Sequence, residues 1–408
     1  MSEPAFAVPE RPQIRPGLAA SLDADDPSFL IIWDELRISS QMIRLPKTHF
    51  ALVEKMNGRR SLRDLQAEAM RASGGLIVPL DAFAELVERL DTALFLDSPR
   101  FEAYLTGPVR LPSCVGCYPP EPEKIRDMLR SYFTAPNGPG LPSEPNPDGR
   151  LRAALLPHID YQRGNVSFAW GFKEVFEQTD ASLFVVIGTS HYSPQRYTLT
   201  RKHFHTPLGL VETDQDYIDR LENYYGDGLF NDPIAHFPEH SIELEVVFLQ
   251  YLYENRRPFR IVPLVVGSFR DCVEEGTEPG QQSDIQQMIQ ALRQAEAETK
   301  ERICYIISGD LAHIGPKFGD AQQAAEPWLT HSRNQDHALI KAVSAVDMAK
   351  YFQVIAAEQD ARRICGLPPT YTVLEAIRPT SGKLLHYGQY VHPRGHESVS
   401  FASMAFYQ

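Results

Sequence analysis

The chain has 408 residues, with 40 Lys and Arg against 53 Asp and Glu, and a formal net charge of −13. This acidic balance excludes nucleic acid held through its phosphates, because such binding needs a basic surface. No apolar stretch approaches the roughly 20 residues that a membrane helix requires, so no membrane partner is expected. Five cysteines are few and odd in number, which argues against a disulfide framework and predicts a cytoplasmic location.

The first segment, residues 1–26, is rich in Pro and Ala and carries charges where a signal peptide would have an apolar core. We predict a disordered lead-in there. Residues 27–108 are predicted to form a small domain that begins with two paired strands, FLIIWDEL and SQMIRL. The helix HFALVEKMNG follows and ends at a Gly turn.

A second helix of this domain is predicted to begin at Ser61, with Asp64 completing a capping-box-like pair, and to end at Gly74-Gly75. The third, LDAFAELVERLDTALFL, runs into a short strand. Helix, turn, helix, helix and strand is the order of a winged helix, so the domain is either a small packing unit or a recognition module. The stretch LVEKMNGRRSLRDL is similar to the PqqD-like peptide-binding domains, and this resemblance implies a peptide or protein partner.

The Pro-rich stretch from Leu111 to Arg150 contains one segment of helical spacing, EPEKIRDMLRSYF. Cys114 and Cys117 form a lone Cys-x-x-Cys in the same stretch. A zinc site would need a second pair, and a Pro-rich segment is a poor setting for thioredoxin-like chemistry, so we assign neither function to them.

From Leu151 onward, short apolar runs alternate with amphipathic segments. The predicted strands are LRAALL, ASLFVVIG, FRIVPLVVG and RICYIISGD, with helices such as VSFAWGFKEVFEQ and PEHSIELEVVFLQYLYEN between them. Two helices split at Cys365-Gly366 and two alternating strands close the chain. This alternation predicts an α/β domain over residues 109–408, built on a three-layer, mainly parallel sheet.

Polar side chains follow three of these strands at equivalent positions: His158, His191, and Asp310 with His313. The carboxyl ends of parallel strands meet at one edge of a sheet, which is where α/β proteins place their ligands. Neutral imidazoles are common transition-metal ligands, so His158 and His191 predict a metal site. Each His alone could equally be a hydrogen-bonded loop residue.

The sequence leaves a third ligand open among five residues: Asp310, His313, Glu239, His240 and Cys365. Cys365 precedes the Pro-Pro start of a helix, where amide donors and the helix dipole lower the pKa of a thiol. A thiolate would favour iron, copper or zinc over magnesium. Asp310 and His313 suit acid–base work beside a metal, although Asp310 could simply cap a helix and His240 could have no function. A buried structural cysteine is the alternative for Cys365.

The stretch from about Leu111 to the end resembles the Memo-like family, labelled in bacteria AmmeMemoRadiSam system protein B. The matching segments are CYPPEPEKIRDMLRSYF, LPHIDYQRGNVSFAWGFK, IGTSHY, HTPLGLVETD, EHSIELEV, IVPLVVG, SGDLAHIG, RICGLPP and ESVSFASMAF. The resemblance implies a fold similar to the LigB-type class III extradiol dioxygenases, which are non-heme iron enzymes. It also implies that His158, His191 and Cys365 bind the metal, that Asp310 and His313 line the cleft, and that His240 belongs to a Glu-His-Ser motif.

Two departures stand out. The family often has His-Ala-Gly-Tyr where this chain has His158-Ile159-Asp160-Tyr161, which adds a carboxylate beside the first ligand. The usual Ser-Asp pair is Gly309-Asp310 here.

Three functions remain open from the sequence. The first is metal-dependent redox or oxygen chemistry on an unknown small molecule, in which a Cys ligand makes ring cleavage doubtful. The second, implied by the system name, is a non-enzymatic accessory factor that presents a peptide or protein to a radical SAM enzyme. The third is a hydrolase or ligase with Cys365 as nucleophile and His313 or His240 as its base.

Overall fold

The structure, a computed structural model, describes residues 6–72, 79–114, 116–148, 150–254 and 256–408. The chain divides into two compact units, Met1–Val109 and Arg110–Gln408. Within the described residues no helix has the length and apolar character needed to cross a membrane.

The first unit packs a three-stranded antiparallel sheet, in the order β1-β2-β3, against helices. Its elements are β1 (Leu18–Leu22), β2 (Phe29–Asp34), β3 (Met42–Pro46), α1 (Lys47–Val53), α2 (Leu62–Ala72), α3 (Leu80–Thr92) and α4 (Pro99–Thr106). The predicted pairing of β2 with β3 is confirmed. The capping box at the start of α2 is also confirmed, because Ser61 N–H donates to Asp64 and Asp64 N–H donates to Ser61 Oγ.

The prediction of a disordered lead-in over residues 1–26 is wrong for the described residues from 6 onward. β1 pairs with β2 along its whole length. Arg15 is buried and makes a salt bridge with Asp34, at 2.6 Å, so the segment is held by a charge pair that the Pro-rich composition does not reveal. The strand predicted after the third helix is a single bridge between Ile14 and Leu96. Gly74-Gly75 lies outside the described residues, and a winged-helix relationship stays a prediction.

The second unit alternates strands and helices as predicted. Its strands, after β4 (Val109–Arg110) at the division, are β5 (Leu151–Leu156), β6 (Leu183–Thr189), β7 (Tyr197–Leu199), β8 (His203–Thr206), β9 (Gly209–Val211), β10 (Arg260–Val266), β11 (Ile303–Ser308), β12 (His313–Ile314), β13 (Ser381–Val391) and β14 (Ser398–Tyr407). Its helices are α5 (Pro122–Thr134), α6 (Tyr161–Gly164), α7 (Val166–Gln178), α8 (Gln215–Tyr225), α9 (His240–Tyr253), α10 (Arg270–Glu275), α11 (Ser283–Ala297), α12 (Trp328–Ser344), α13 (Met348–Ala357) and α14 (Leu367–Ile377).

The main sheet has the strand order β12-β14-β5-β11-β6-β10-β7, with β13 paired to β14. Only the central strands β5, β11, β6 and β10 are parallel, so the fold is mixed α/β and the prediction of a mainly parallel sheet is wrong for its flanks. The C-terminal β13–β14 hairpin and the short β7 and β12 add antiparallel strands at the two sides.

Alternate residues of the central strands enter two separate cores. In β6, Leu183, Val185 and Ile187 pack on one face, and Phe184 and Val186 pack on the other. Two covered faces confirm the three-layer arrangement and explain why these strands are apolar throughout.

One further prediction is corrected. The helix expected to continue to Cys365 ends at Ala357, because the non-glycine residues Gln359, Asp360 and Arg363 have positive φ angles of 52°, 49° and 54°. Cys114 and Cys117, to which no function was assigned, are joined as a disulfide.

Candidate metal centre

Three parallel strands deliver polar side chains to one edge of the sheet. β5, β11 and β6 are neighbours, and His158, Asp310 and His191 each lie two residues beyond the end of one of these strands. The imidazole rings of His158 and His191 have centroids 5.1 Å apart. His240, at the first position of α9, lies 4.8 Å from the ring of His191 and 5.4 Å from that of His158.

Among the described residues, two overlapping groups of side chains have donor atoms close enough to hold one metal ion. One group is His158, His191 and His240; the other is His158, Asp310 and Cys365; within each group the donor atoms lie within 4.8 Å of one another. The predicted ligands His158, His191 and Cys365 are therefore spread over two groups that share His158. His240 and Asp310, predicted as catalytic residues, are themselves among the donors.

Hydrogen bonds behind the imidazoles fix their orientation. Ser308 donates its hydroxyl hydrogen to the carbonyl of Ser241 at 2.6 Å, so the Ser308 oxygen is left to accept from Nδ1–H of His158 at 3.4 Å. The lone pair of His158 is then on Nε2, which lies 3.2 Å from the sulfur of Cys365. This is the tautomer that a metal ligand requires.

Glu239 orients His191 in the same way. Its carboxylate accepts from Nδ1 of His191 at 2.9 Å and from the backbone N–H of His191 at 2.8 Å, and it caps α9 by accepting from Ser241 N–H at 3.0 Å. The side chain of Glu239 is only 1% exposed. The sequence offered Glu239 as a ligand candidate, whereas the structure places it behind His191, which is a ligand candidate itself. A metal-binding His commonly donates its other ring N–H to a carboxylate in this way.

Burial and neighbouring charges separate the pKa values of these groups. Burial, followed by the charges of His191 and His240, lowers the pKa of His158 well below its usual value, so this imidazole stays neutral. Burial alone would lower the pKa of His191, but Glu239 outweighs it and the net shift is upward. Burial raises the pKa of Asp310 to about 7 despite its hydrogen bonds from the backbone of His158 and Ile159.

The predicted activation of the Cys365 thiol is wrong for the protein without metal. Burial and then the negative charge of Asp310 raise the pKa of Cys365 well above its usual value, although Asp310 N–H donates to the sulfur at 3.3 Å. A bound cation would reverse this balance, because coordination deprotonates a thiol outright. In the metal-free protein the Cys365 thiol is therefore protonated at neutral pH and is a poor nucleophile.

His313 and Asp160 lie outside both donor groups. Nδ1 of His313 faces the carbonyls of Arg363 and Leu311 at 3.0 and 3.2 Å, and burial lowers its pKa to about 4. Asp160, the residue that departs from the family pattern, caps α6 and pairs with Arg163. Its carboxylate is committed to that pair.

Ser308 and Glu245 are the residues near the centre that the sequence analysis missed. Ser308 is the last residue of an apolar strand, and nothing in the sequence marks it. Glu245 occurs in a run of core residues on α9. A charged residue in a helix that is otherwise buried could have indicated a functional role from the sequence, because charged side chains are rarely buried.

The fold and this site define a mixed α/β protein with His, Asp and Cys donors that could hold a metal ion at the carboxyl edge of its parallel strands. The model of the family described as "Memo-like protein" matches residues 110–405. The chain therefore belongs to the Memo-like family.

Curated relatives carry the same family name. A MEMO1 family protein of Aquifex aeolicus (strain VF5) is 24% identical over 390 residues, which cover 92% of this chain and 96% of the relative. MEMO1 family protein MK0963 of Methanopyrus kandleri is 28% identical over 306 residues, covering 73% of this chain and 98% of the relative. The Aquifex alignment is longer than the second unit, so it extends into the first. The crystal structure of uncharacterized protein JW3007 from Escherichia coli K12 aligns at 14% identity over 63% of this chain and 100% of that chain, with a TM-score of 0.40, too low to bear on the fold.

Proposed function

We propose that this protein uses iron or copper, bound by His158, His191 and Cys365, for redox or oxygen chemistry on a small molecule. The observation that carries the proposal is the position of His158, which shares donor groups with His191 on one side and with Cys365 on the other. Imidazole and thiolate donors favour iron, copper or zinc over hard cations. A fold similar to the LigB-type dioxygenases belongs to the same proposal.

A bound transition metal would supply Lewis-acid and one-electron chemistry at this centre. Asp310 is the better placed general base of the two predicted candidates, because its carboxyl group lies among the donor atoms. In the metal-free protein, burial raises the pKa of this carboxyl group to about 7. His313, with a pKa of about 4, is a weak base and serves to pack and orient the loop that follows β11. His240 is close enough to complete the donor set in place of Cys365.

Metal analysis tests the proposal. The full-length protein, purified under reducing conditions and loaded separately with Fe(II), Cu(I) and Zn(II), should retain close to one metal ion per chain, and His158→Ala should retain almost none. His331→Ala is the matched control, because that imidazole is 57% exposed and lies outside both donor groups. Equal and negligible metal in all three proteins would reject the proposal.

The alternative, an accessory factor for a radical SAM enzyme, is supported by a different feature. β3 is at the edge of the first unit's sheet, and a cavity of about 530 Å³ adjoins it, lined by Met42, Ile43, Glu85 and Arg89 among others. Met42 is 67% exposed on that strand. An open sheet edge beside a cavity can accept an extended peptide as an added strand.

Binding to a purified radical SAM enzyme from the same organism, measured with the full-length protein, separates the two functions. If the first unit presents a peptide or protein, Met42→Glu should weaken this binding at least about tenfold and leave the metal content unchanged. Undetectable binding by the wild-type protein would reject the accessory role.

A nucleophilic Cys365 has less support. Burial keeps the thiol protonated in the metal-free protein, and His313, one of its two proposed bases, is held by backbone carbonyls.

A further inference from the structure

The disulfide between Cys114 and Cys117 lies in the second unit and takes no part in either donor group of the candidate metal centre. The two cysteines are three positions apart in the chain, and their Cα atoms are separated by 5.5 Å, a usual separation for a disulfide. Both are half-buried, and they pack against the core to which α9 contributes.

This disulfide contributes little to stability as a cross-link. A disulfide stabilises a fold mainly by restricting the unfolded chain, and the effect grows with the length of the loop that it closes. With a sequence separation of 3, this loop is very short, and both cysteines lie in the same connection between β4 and α5. Half-buried cysteines at this spacing are instead typical of disulfides that small thiols reduce and that form again by exchange.

The segment closed by the disulfide holds the carboxylate of Glu243 from both ends. On one side, the N–H groups of Ser113 and Cys114 donate to it at 2.9 and 3.0 Å. On the other side, the hydroxyl of Tyr118 donates to the same carboxylate. Reduction replaces the covalent bond with a van der Waals contact between two thiols, so the sulfurs must move apart. Because Cys114 is itself a donor and Cys117 directly precedes Tyr118, the two sets of donors then move relative to each other.

Glu243 connects this segment to the candidate metal centre. It lies in the first turn of α9, together with His240. Its ion-pair partner Arg110 donates to the carbonyl of Glu239 at 2.8 Å, and the carboxylate of Glu239 accepts from His191. The side chains of Arg110 and Glu243 are both 0% exposed. A displacement of the Glu243 carboxylate is therefore transmitted to its packed neighbours, since close-packed interiors transmit strain.

We propose that Cys114 and Cys117 form a redox switch, in which the disulfide holds the first turn of α9 and the dithiol releases it. Reduction takes two equivalents of a small thiol such as glutathione. The thiolate of the first attacks one protein sulfur, so the S–S bond breaks and a mixed disulfide forms. The thiolate of the second attacks the sulfur of the bound glutathione, which leaves as glutathione disulfide while both cysteines take up protons. Two electrons pass from the two thiols to the protein, and glutathione disulfide reverses the reaction.

A redox titration tests the proposal on the metal-free, full-length protein, equilibrated at several ratios of glutathione to glutathione disulfide. Peptide mass spectrometry after alkylation gives the oxidised fraction of each cysteine, and NMR follows the backbone amides of Cys114, Glu243 and His240 in the same samples. We expect a reversible two-electron transition, with amide shifts that follow the same midpoint.

Two variants serve as controls. Cys114→Ser/Cys117→Ser should resemble the reduced protein in its NMR spectrum at every ratio. Cys272→Ser should titrate like the wild type, because Cys272 is a buried free cysteine on α10. Two results would overturn the proposal: cysteines 114 and 117 that stay in one redox state at every ratio, or amides of Glu243 and His240 that do not differ between the two states.

That the switch tunes metal binding rests on the proposed function above. Zinc affinity is compared between the two states, using only samples in which Cys365 is a free thiol by mass. The disulfide state should bind zinc about tenfold more tightly, the lower end of the range for a group that supports a metal ligand. Equal affinity in the two states would remove the link to the metal.

The same samples separate the two proposals. Amide shifts that follow the redox state in a protein that retains no metal would keep the switch and reject the metal-dependent function. Metal retention by a protein whose Cys114 and Cys117 stay in one redox state would do the reverse.

Discussion

Nε2 of His158 lies 3.2 Å from Sγ of Cys365, although the two residues are 207 positions apart in the chain. His158 follows the strand β5, and Cys365 follows the strained turn after α13. His158 is also adjacent to His191 and His240. A metal bound to His158 can therefore take its other ligands either from these two histidines or from Asp310 and Cys365, and its chemistry depends on which pair binds it. Substitutions in the two donor groups are expected to have different effects.

Cys365→Ser and His240→Ala distinguish the two donor groups. If the thiolate is a ligand, Cys365→Ser should reduce metal affinity at least about 100-fold and abolish the thiolate-to-metal charge-transfer band of the cobalt-substituted protein, because a hydroxyl is a harder and weaker donor. His240→Ala should then cost about tenfold or less. Cys272→Ser is the control, since Cys272 is buried on α10 and outside both groups. The reverse order of the two effects would assign the ion to the three histidines.

Glu239→Gln should weaken metal binding about 10- to 100-fold without removing a ligand, because it weakens the acceptor that orients His191. In the metal-free protein the same change should bring the pKa of His191 down, since burial is then no longer outweighed by the carboxylate. The raised pKa of His191 means that this pair stabilises the fold below the unfolded-state pKa of 6.5 and loses its effect as the pH rises through the folded value. NMR titration of the His191 ring measures the shift, and an unchanged pKa would contradict the role given to Glu239.

Glu245 gives a prediction for pH-dependent stability. It is fully buried on α9, and burial raises its pKa well above 4.5, although the hydroxyl of Ser308 is near enough to act in the opposite direction. The folded state therefore holds a proton that the unfolded state loses, so stability is highest below the unfolded-state pKa and falls by about 1.4 kcal/mol per pH unit as the pH rises toward the folded value.

Glu245→Gln cannot titrate, so its stability advantage over the wild type should be small near pH 4.5 and should grow as the pH rises toward neutral. Urea unfolding of the metal-free proteins at several pH values measures this difference, with the exposed Glu275→Gln as control. A difference that does not depend on pH would show that Glu245 is ionised in the folded state.

Arg110 and Glu243 form an ion pair in which both side chains are 0% exposed. Arg110 also donates to the carbonyl of Glu239 at 2.8 Å, and so it holds the first turn of α9 in place. Arg110→Met should destabilise the second unit by about 3–5 kcal/mol, because it leaves the Glu243 carboxylate buried without its counter-charge. The double variant Arg110→Met/Glu243→Met should recover only part of this loss in denaturant unfolding, because the N–H groups of Ser113 and Cys114 and the hydroxyl of Tyr118 also lose their acceptor. A double variant as unstable as the single one would show that these lost hydrogen bonds and the packing, and not the orphaned charge, set the cost.

The sequence predicted correctly those features that depend on a local pattern of residues, such as the positions of the buried strands. Apolar runs ending in Pro157, Gly188 and Gly309 located three parallel strands, and the shared edge of parallel strands then brought His158 and His191 together. The antiparallel flanks were not predictable in the same way, because the direction of a strand is set by its connection and not by its composition.

Prediction also failed where the outcome depends on distant residues. The segment around Arg15 is Pro-rich, yet its salt bridge with Asp34 orders it. The thiol of Cys365 precedes a helix, yet the burial created by the packed loops outweighs the effect of the helix on its pKa. Neither Asp34 nor the packing around Cys365 is near in sequence to the residue that it controls.

The backbone of Gly366 packs directly against that of Gly309 and Asp310, which leaves no room for a side chain at position 366. A Cβ added to Gly366 would lie 2.7 Å from the carbonyl oxygen of Asp310, and the Gly366 N–H donates to that same oxygen at 2.9 Å. Both contacts are to backbone, so the loops that carry Asp310 and Cys365 must move apart to admit a methyl group. Gly366→Ala should therefore lower metal affinity about 10- to 100-fold, comparable to the loss of a supporting group, while most of the secondary structure remains.

Gly228→Ala is the matched control for this change, because a Cβ there meets only the side chain of Asn231 at 3.8 Å. Metal competition assays with circular dichroism on both variants measure the effect. The expected pattern is a loss confined to Gly366→Ala, since only there does the added atom separate two donors that must act on one ion. Equal metal affinity in the two variants would mean that Asp310 and Cys365 do not have to stay close, and the donor group containing them would then not be the one that binds the metal.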